Sequence, residues 1–472
     1  MQSLPRKYPT TSRAADSDRA RVLFSAPFRR LQEKAQVFAL EDNAAVRSRL
    51  THSLEVAHIG RYLTQEVLEK AKDSNLKRIG IKNDDDAEAA TTIVEVACML
   101  HDIGNPPFGH FGEKVIRHWF ENNKKEFQKP LMSGSVDTNK ELEFTKLYQD
   151  FSQFDGNPQG FRIVSKLQWN HDENGLNLTA SQLASLLKYD CSPEGIDCKA
   201  PSKKKAGYFF SDEHVIASVW DRLKMKHIRH PLSYLMEAAD DLAYCLSDIE
   251  DGLEKGLLTG LNIYNELASS GSSIIKEISK ELSYTNSIKE NKLHDLQTFL
   301  KIRTKVINSL VSILSDRFID NIPSIIKNST SSLVELSYES KEVLSVFRTL
   351  ANRHLYNSRA VRENEIIANR VITGLLDAFK PLLICDKDRF NDIRSLNSED
   401  KKGNSISVEQ ALYKQFSSKY IRVYDSDTNN ESNRDITPCV REWMARAHLI
   451  IDQISGMTDG HALKRFRLIC SP

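Results

Sequence analysis

Between Cys98 and Glu113 the chain gathers two histidines, an aspartate and a glutamate around one backbone break. It reads Cys98-Met99-Leu100-His101-Asp102-Ile103-Gly104-Asn105-Pro106-Pro107-Phe108-Gly109-His110-Phe111-Gly112-Glu113. His101 and Asp102 close an apolar helical run, and Gly104 with Pro106-Pro107 stops it. Two adjacent residues cannot share a face in mid-helix, but at a terminus the backbone can turn both toward one point. An imidazole beside a carboxylate suits a divalent ion of intermediate hardness, such as Mn²⁺, Mg²⁺, Fe²⁺, Co²⁺ or Zn²⁺. Beyond the break His110 and Glu113 stand one turn apart, an imidazole with a carboxylate to orient it. That is a unit for general acid–base work.

Further ligands are available elsewhere. His52 opens a helix of mostly apolar residues, and Glu237-Ala238-Ala239-Asp240-Asp241 sets acids inside an apolar helix. A carboxylate among Ala and Leu is costly to bury unless it is paired or metal-bound. Asp240, Tyr244 and Asp248 recur at spacings of four and so form one stripe, while Asp241 points about a quarter-turn away as a helix-surface or salt-bridging residue.

The elements that must position these groups are helical. Apolar residues recur near helical spacing from Leu50 to Val67, from Ile93 to Leu100 and from Leu232 to Leu246, the last opened by Pro231. Ile274 to Leu282, Leu293 to Leu314, Ser340 to Leu350, Asn364 to Leu383 and Val440 to Ser455 read alike. The expected fold is all-α, with Lys205 to Phe210 as a short hairpin arm. Lys72 to Glu88, Ser133 to Asn139, Asp190 to Lys205 and Arg394 to Ser405 read as loops, the last leading a loop-rich stretch to Asn433. Residues 1–255 carry the chemistry. Residues 256–472 are expected to be helical support or an oligomer interface, packed as one unit with the core.

Composition narrows the class. Over 472 residues the net charge is +1, so no global field favours nucleic acid or an anionic membrane, and an anionic substrate needs a local cluster. Seven scattered cysteines without a Cys-x-x-Cys pair argue against a disulfide framework and a zinc ribbon. No run reaches membrane-spanning length and the first 17 residues are polar, so a cytoplasmic location is expected.

The order His52, His101-Asp102, Asp240 resembles the HD phosphohydrolase superfamily. The surrounding words are similar, more narrowly, to deoxyguanosine triphosphate triphosphohydrolases (dGTPases). They are Arg47-Ser48-Arg49-Leu50-Thr51-His52-Ser53-Leu54-Glu55, His101 to His110, Gln159-Gly160-Phe161-Arg162 and Glu237 to Asp241. Phe28-Arg29-Arg30-Leu31-Gln32, Gln36-Val37-Phe38 and Ser455-Gly456-Met457-Thr458-Asp459-Gly460 extend the likeness over most of the chain. The last motif usually carries an aromatic residue where His461 stands.

The resemblance implies an HD-domain helical core with additional C-terminal helices. It implies that His52, His101, Asp102 and Asp240 hold one divalent cation, with Mn²⁺ or Mg²⁺ favoured, and that His110 and Glu113 handle protons around the attacking water. Arg49 and Lys188 are expected at phosphate, Tyr189 and Tyr244 at the sugar, and Gln36 at the guanine edge. Lys205 is assigned to phosphate, and Asp248 to setting the sugar position. The implied reaction splits dGTP or other dNTPs into deoxynucleoside and inorganic triphosphate. A homo-oligomer, hexamer or tetramer, is expected, with Arg353 and His354 as candidates to reach a neighbouring subunit, and single-stranded DNA is a partner of some members. The rival readings are another HD nucleotide phosphohydrolase and a non-catalytic nucleotide or single-strand sensor.

Overall fold

The computed structural model describes residues 8–131, 138–170, 172–225, 227–283, 292–395, 399–429 and 436–470. Among them there is no sheet, only isolated bridges pairing Ala35 with Ser48 and Glu399 with Ser405. Three helices form the centre: Arg49–Lys70, Asp84–Leu100 and Pro231–Glu254, each packed on the other two. Lys292–Ile326 braces the first and third, and Gly109–Leu131 rests on Arg359–Phe379. One hydrophobic cluster runs from Ala15 to Ala462 and so spans both parts of the chain. Val56, Leu63, Val94, Leu100 and Leu242 have no exposed surface, each burial contributing about 2 kcal/mol.

Local chemistry sets the helix starts. Ser48 caps Arg49–Lys70 with Thr51 returning the bond, a reciprocal pair that satisfies two free N–H groups. Pro231 occupies a first turn where its missing N–H costs nothing. Asn83 accepts from Asp86 N at 2.9 Å and starts Asp84–Leu100.

The last of these corrects the sequence reading. Lys72 to Glu88 is not a loop throughout: Asp73–Arg78 is helical, and Asp84-Asp85-Asp86 is a first helical turn. Three acids there meet the positive end of the helix dipole. The stretch after Ser405 likewise holds two helices, Ser407–Tyr413 and Ser418–Asn429. The Asn364 to Leu383 pattern divides at Lys380-Pro381 into Arg359–Phe379 and Pro381–Ile384. Of Ser133 to Asn139, all but Thr138 and Asn139 lie outside the described residues, and these two open Thr138–Leu147.

The hairpin arm does not form. Lys205 to Phe210 runs through bends into a short turn, Phe210–Asp212. The loop before it folds on itself instead, Asp190 N donating to Ser202 O and Gly207 N to Cys191 O. Tyr208 and Phe209 are both buried, so the segment has no solvent face to alternate against.

Candidate active site

The Asp84–Leu100 helix ends where His101 turns out of it. His101 Nδ1 lies 2.6 Å from Cys98 O. A carbonyl only accepts, so Nδ1 carries the proton and Nε2 presents a lone pair. His52, on the first turn of Arg49–Lys70, is fully buried, and among the described residues neither of its ring nitrogens has a hydrogen-bond partner; nor has His101 Nε2. Asp240 Oδ1 lies 3.6 Å from His52 Nε2 and 3.5 Å from His101 Nε2. His52, His101 and Asp240 therefore offer ligand atoms within 4.8 Å of one another, a group that could hold a metal ion. Orphaned buried imidazole nitrogens cost about 1–3 kcal/mol each, and a cation removes that cost. The donor set fits a divalent ion.

Asp102 stands beside this group. Its Oδ2 is 3.6 Å from His101 Nε2 and accepts from Arg49 Nη1, and its Oδ1 accepts from Asn105 Nδ2 at 2.5 Å. Burial works to raise the Asp102 carboxyl, but Arg49, with the three nearby histidines, holds it well below the usual carboxylate range. The turn that follows is built for close approach. Gly109 has φ +56°, and a Cβ there would collide with the Arg49 guanidinium. On Gly104 it would strike the backbone of Gly156 and Gly160.

His110 opens Gly109–Leu131, exposed, with Nδ1 3.1 Å from Glu113 Oε2. Glu113 is 2% exposed, and its other oxygen accepts from Gly156 N at 2.9 Å. The carboxylate is pinned at both oxygens and aims the imidazole.

These groups meet at one cavity of about 300 Å³. Gln36, Arg49, His101, Asp102, His110, Glu113, Lys188, Tyr189, Lys205, Asp240 and Tyr244 all line it. Two of the assigned residues do not. His52 lies behind the wall, its ring 5.4 Å from that of His101. Asp248 is fully buried and accepts from Tyr356 Oη, and neither of these two residues lines the cavity. Burial pushes the Asp248 carboxyl up to about 7 against the Tyr356 hydrogen bond, with Asp251 adding to the rise.

Cations face the cavity from two more elements. Lys188 Nζ lies 3.6 Å from Glu237 Oε1 and 3.9 Å from Asp240 Oδ2. Burial opposes its charge, yet Glu237 and Asp240 raise its pKa well above the usual lysine range. Lys205 donates to Asp155 Oδ2 at 2.7 Å. Arg353 is paired within the chain to Glu266 at 2.7 Å, and Asp241 to Arg348 at 3.0 Å.

Sequence reasoning passed over Asn105, Asp155 and Tyr356. Asn105 stands inside the quoted His101 to His110 motif, and its short amide beside the His101-Asp102 pair was a usable signal. Tyr356, in the wide turn Asn352–Tyr356, stacks on Tyr244 at 6.4 Å between ring centres. Its contact with Asp248 spans 108 residues, and nothing local marks it.

A helical bundle whose His and Asp side chains meet from three helices over one cavity defines an HD-domain protein, and the HD domain family model matches residues 49–185. The chain is 34% identical to a deoxyguanosinetriphosphate triphosphohydrolase of Yersinia pestis (strain Pestoides F), over 97% of this chain and 93% of the relative. It is 35% identical to the enzymes of that name from Yersinia enterocolitica serotype O:8 / biotype 1B, with the same coverage, and from Salmonella paratyphi A, over 96% and 93%. The chain belongs to the deoxyguanosinetriphosphate triphosphohydrolase family. No helix among the described residues is long and apolar enough to cross a membrane.

Proposed function

We propose that this chain hydrolyses dGTP, or a wider set of deoxynucleoside triphosphates, to deoxynucleoside and inorganic triphosphate. The observation that carries the reading is the cavity, which Arg49, Lys188 and Lys205 line together with His101 and Asp240 of the His52, His101 and Asp240 group. A triphosphate brings several negative charges, and a chain of net charge +1 must meet them with such a local cluster.

His52, His101, Asp102 and Asp240 would hold the divalent ion, Mn²⁺ or Mg²⁺, which when bound supplies Lewis acidity and lowers the pKa of a nearby water. His110, with Nδ1 turned to Glu113, keeps Nε2 for the proton of the attacking water. Arg49, Lys188 and Lys205 neutralise charge that builds on the triphosphate as it leaves. Tyr244, stacked on Tyr356 and lining the cavity, would pack against the deoxyribose and so penalise a 2′-hydroxyl. Gln36 would turn an amide to the base, and its buried Oε1 has no hydrogen-bond partner among the described residues. One amide can both accept from and donate to a guanine edge.

Purified protein with Mn²⁺ should convert dGTP to deoxyguanosine and inorganic triphosphate, resolved by ion-exchange chromatography. Release of orthophosphate, or consumption of dGMP alone, overturns the reading. Gln36→Ala should relax the preference among dGTP, dATP and dCTP while hydrolysis continues. Unchanged ratios would remove Gln36 from base reading. A homo-oligomer, hexamer or tetramer, and single-stranded DNA as a further partner rest on family likeness, and sedimentation with and without an oligonucleotide tests both.

A further inference from the structure

The turn between the helices Pro438–Ser455 and Asp459–Cys470 lines no part of the cavity, yet Asp459, the buried acid that closes this turn and opens the second helix, reaches two segments that do. Asp459 is 3% exposed. Its Oδ2 accepts from Ala35 N at 2.9 Å, and its Oδ1 accepts from Phe108 N at 2.8 Å. Ala35 immediately precedes Gln36. Phe108 lies two residues before His110, in the left-handed region at φ +61°. A non-glycine residue is held there only when its surroundings over-determine it, and the Asp459 carboxylate is one such restraint.

A second buried charge closes the arrangement. Lys34, 4% exposed, donates from Nζ to Asn105 O at 2.5 Å and to Ser455 O at 2.8 Å. The Lys34 carbonyl accepts from Arg49 N at 2.9 Å. The segment before Gln36, the turn before His110 and the C-terminal turn are thus tied at one point, while the side chains of His52, His101 and Asp240 take no part in these bonds.

We propose that Asp459 is a positioning residue that sets Gln36 and His110 in register across the cavity, so that the C-terminal turn governs base selectivity. This rests on the deoxynucleotide reading given above. A carboxylate suits the task because both of its oxygens accept. An amide would offer one oxygen and turn its NH₂ against the other backbone N–H.

The test compares Asp459→Asn with the wild type by kcat/KM for dGTP and for dATP, by Mn²⁺ affinity without nucleotide, and by amide exchange. The expected result is a dGTP:dATP ratio lowered about tenfold, equivalent to one misplaced hydrogen bond, and a raised KM for dGTP. Mn²⁺ affinity should be unchanged. Exchange at Ala35 and Phe108 should quicken while amides of the Arg49–Lys70 helix keep their protection. If Asp459→Asn does not fold, Asp459→Glu keeps the charge and shifts both acceptors by one methylene, and the same ratio should fall. A folded variant with lower activity but unaltered ratio and KM has lost stability only, which overturns the proposal. So does unchanged exchange at the two amides, whatever the substrate. A wild type inert toward every dNTP, with those amides still responding to the substitution, overturns the substrate reading and leaves the clasp standing.

Discussion

Glu113 shows how a cavity side chain can be fixed by its neighbours within the protein. Its two oxygens are committed, one to His110 and one to Gly156 N, so the imidazole is aimed before any ligand arrives. Removing the base and removing its guide should therefore differ in degree. His110→Ala is expected to lower kcat by about 10²–10⁴-fold, and Glu113→Gln by less, with bound Mn²⁺ retained in both; steady-state kinetics beside metal analysis checks this. Asp102→Ala should abolish turnover together with metal retention, and a variant keeping both would remove Asp102 from the ligand set. Asp248 gives a pH prediction. Its carboxyl, held at about 7 by burial, keeps a proton that the unfolded chain releases near 4. Between those values the folded form binds more protons, so stability falls as pH rises, and the cost is fully present above the folded value. Tyr356, Asp251, Arg47 and Arg49 act on it, and Tyr244 and Cys245 also lie within reach of its charge. Asp248→Asn should thus gain in Tm relative to the wild type between pH 5 and 8, and a constant difference across that range would contradict the burial argument.

At the scale of elements, the turn from His101 to Gly109 does most to shape the site. Gly109→Ala adds a methyl where Arg49 passes, in a left-handed conformation that alanine disfavours. Calorimetry should register a loss of about 1–2 kcal/mol, and kinetics a raised KM for triphosphate as Arg49 is displaced. This turn was legible in the sequence because its groups are contiguous, as were the central helices, whose apolar residues keep one spacing over many turns. The acidic run at Asp84 was misread because polarity alone suggests a loop, whereas charge complementing a helix end is equally polar. The short helices after Ser405 were missed for a similar reason: polar residues dominate them, with only a few buried anchors such as Leu412 and Tyr424. Tyr356 and Asp459 act across long separations, and such pairings leave no periodic trace.

Across the whole molecule, a buried ionic network joins the first part of the chain to its last helices. Arg162, 1% exposed, pairs with Asp212, Asp427 and Asp452, and Lys166 pairs with Asp212 and Asp427. Arg162→Met would leave buried carboxylates short of a counter-charge, and urea unfolding should show a loss of about 3–5 kcal/mol. A cost below 1 kcal/mol would mean that water or protonation compensates them.

The bonds from Asp459 to Ala35 and Phe108 also set an order of events during synthesis. Ala35 leaves the ribosome 424 residues before the side chain that holds it. The helices bearing His52 and His101 can pack early, as leading segments generally do. The Ala35 and Phe108 amides wait for their acceptor until Asp459 emerges, so nascent chains and products of late stop codons lack this closure.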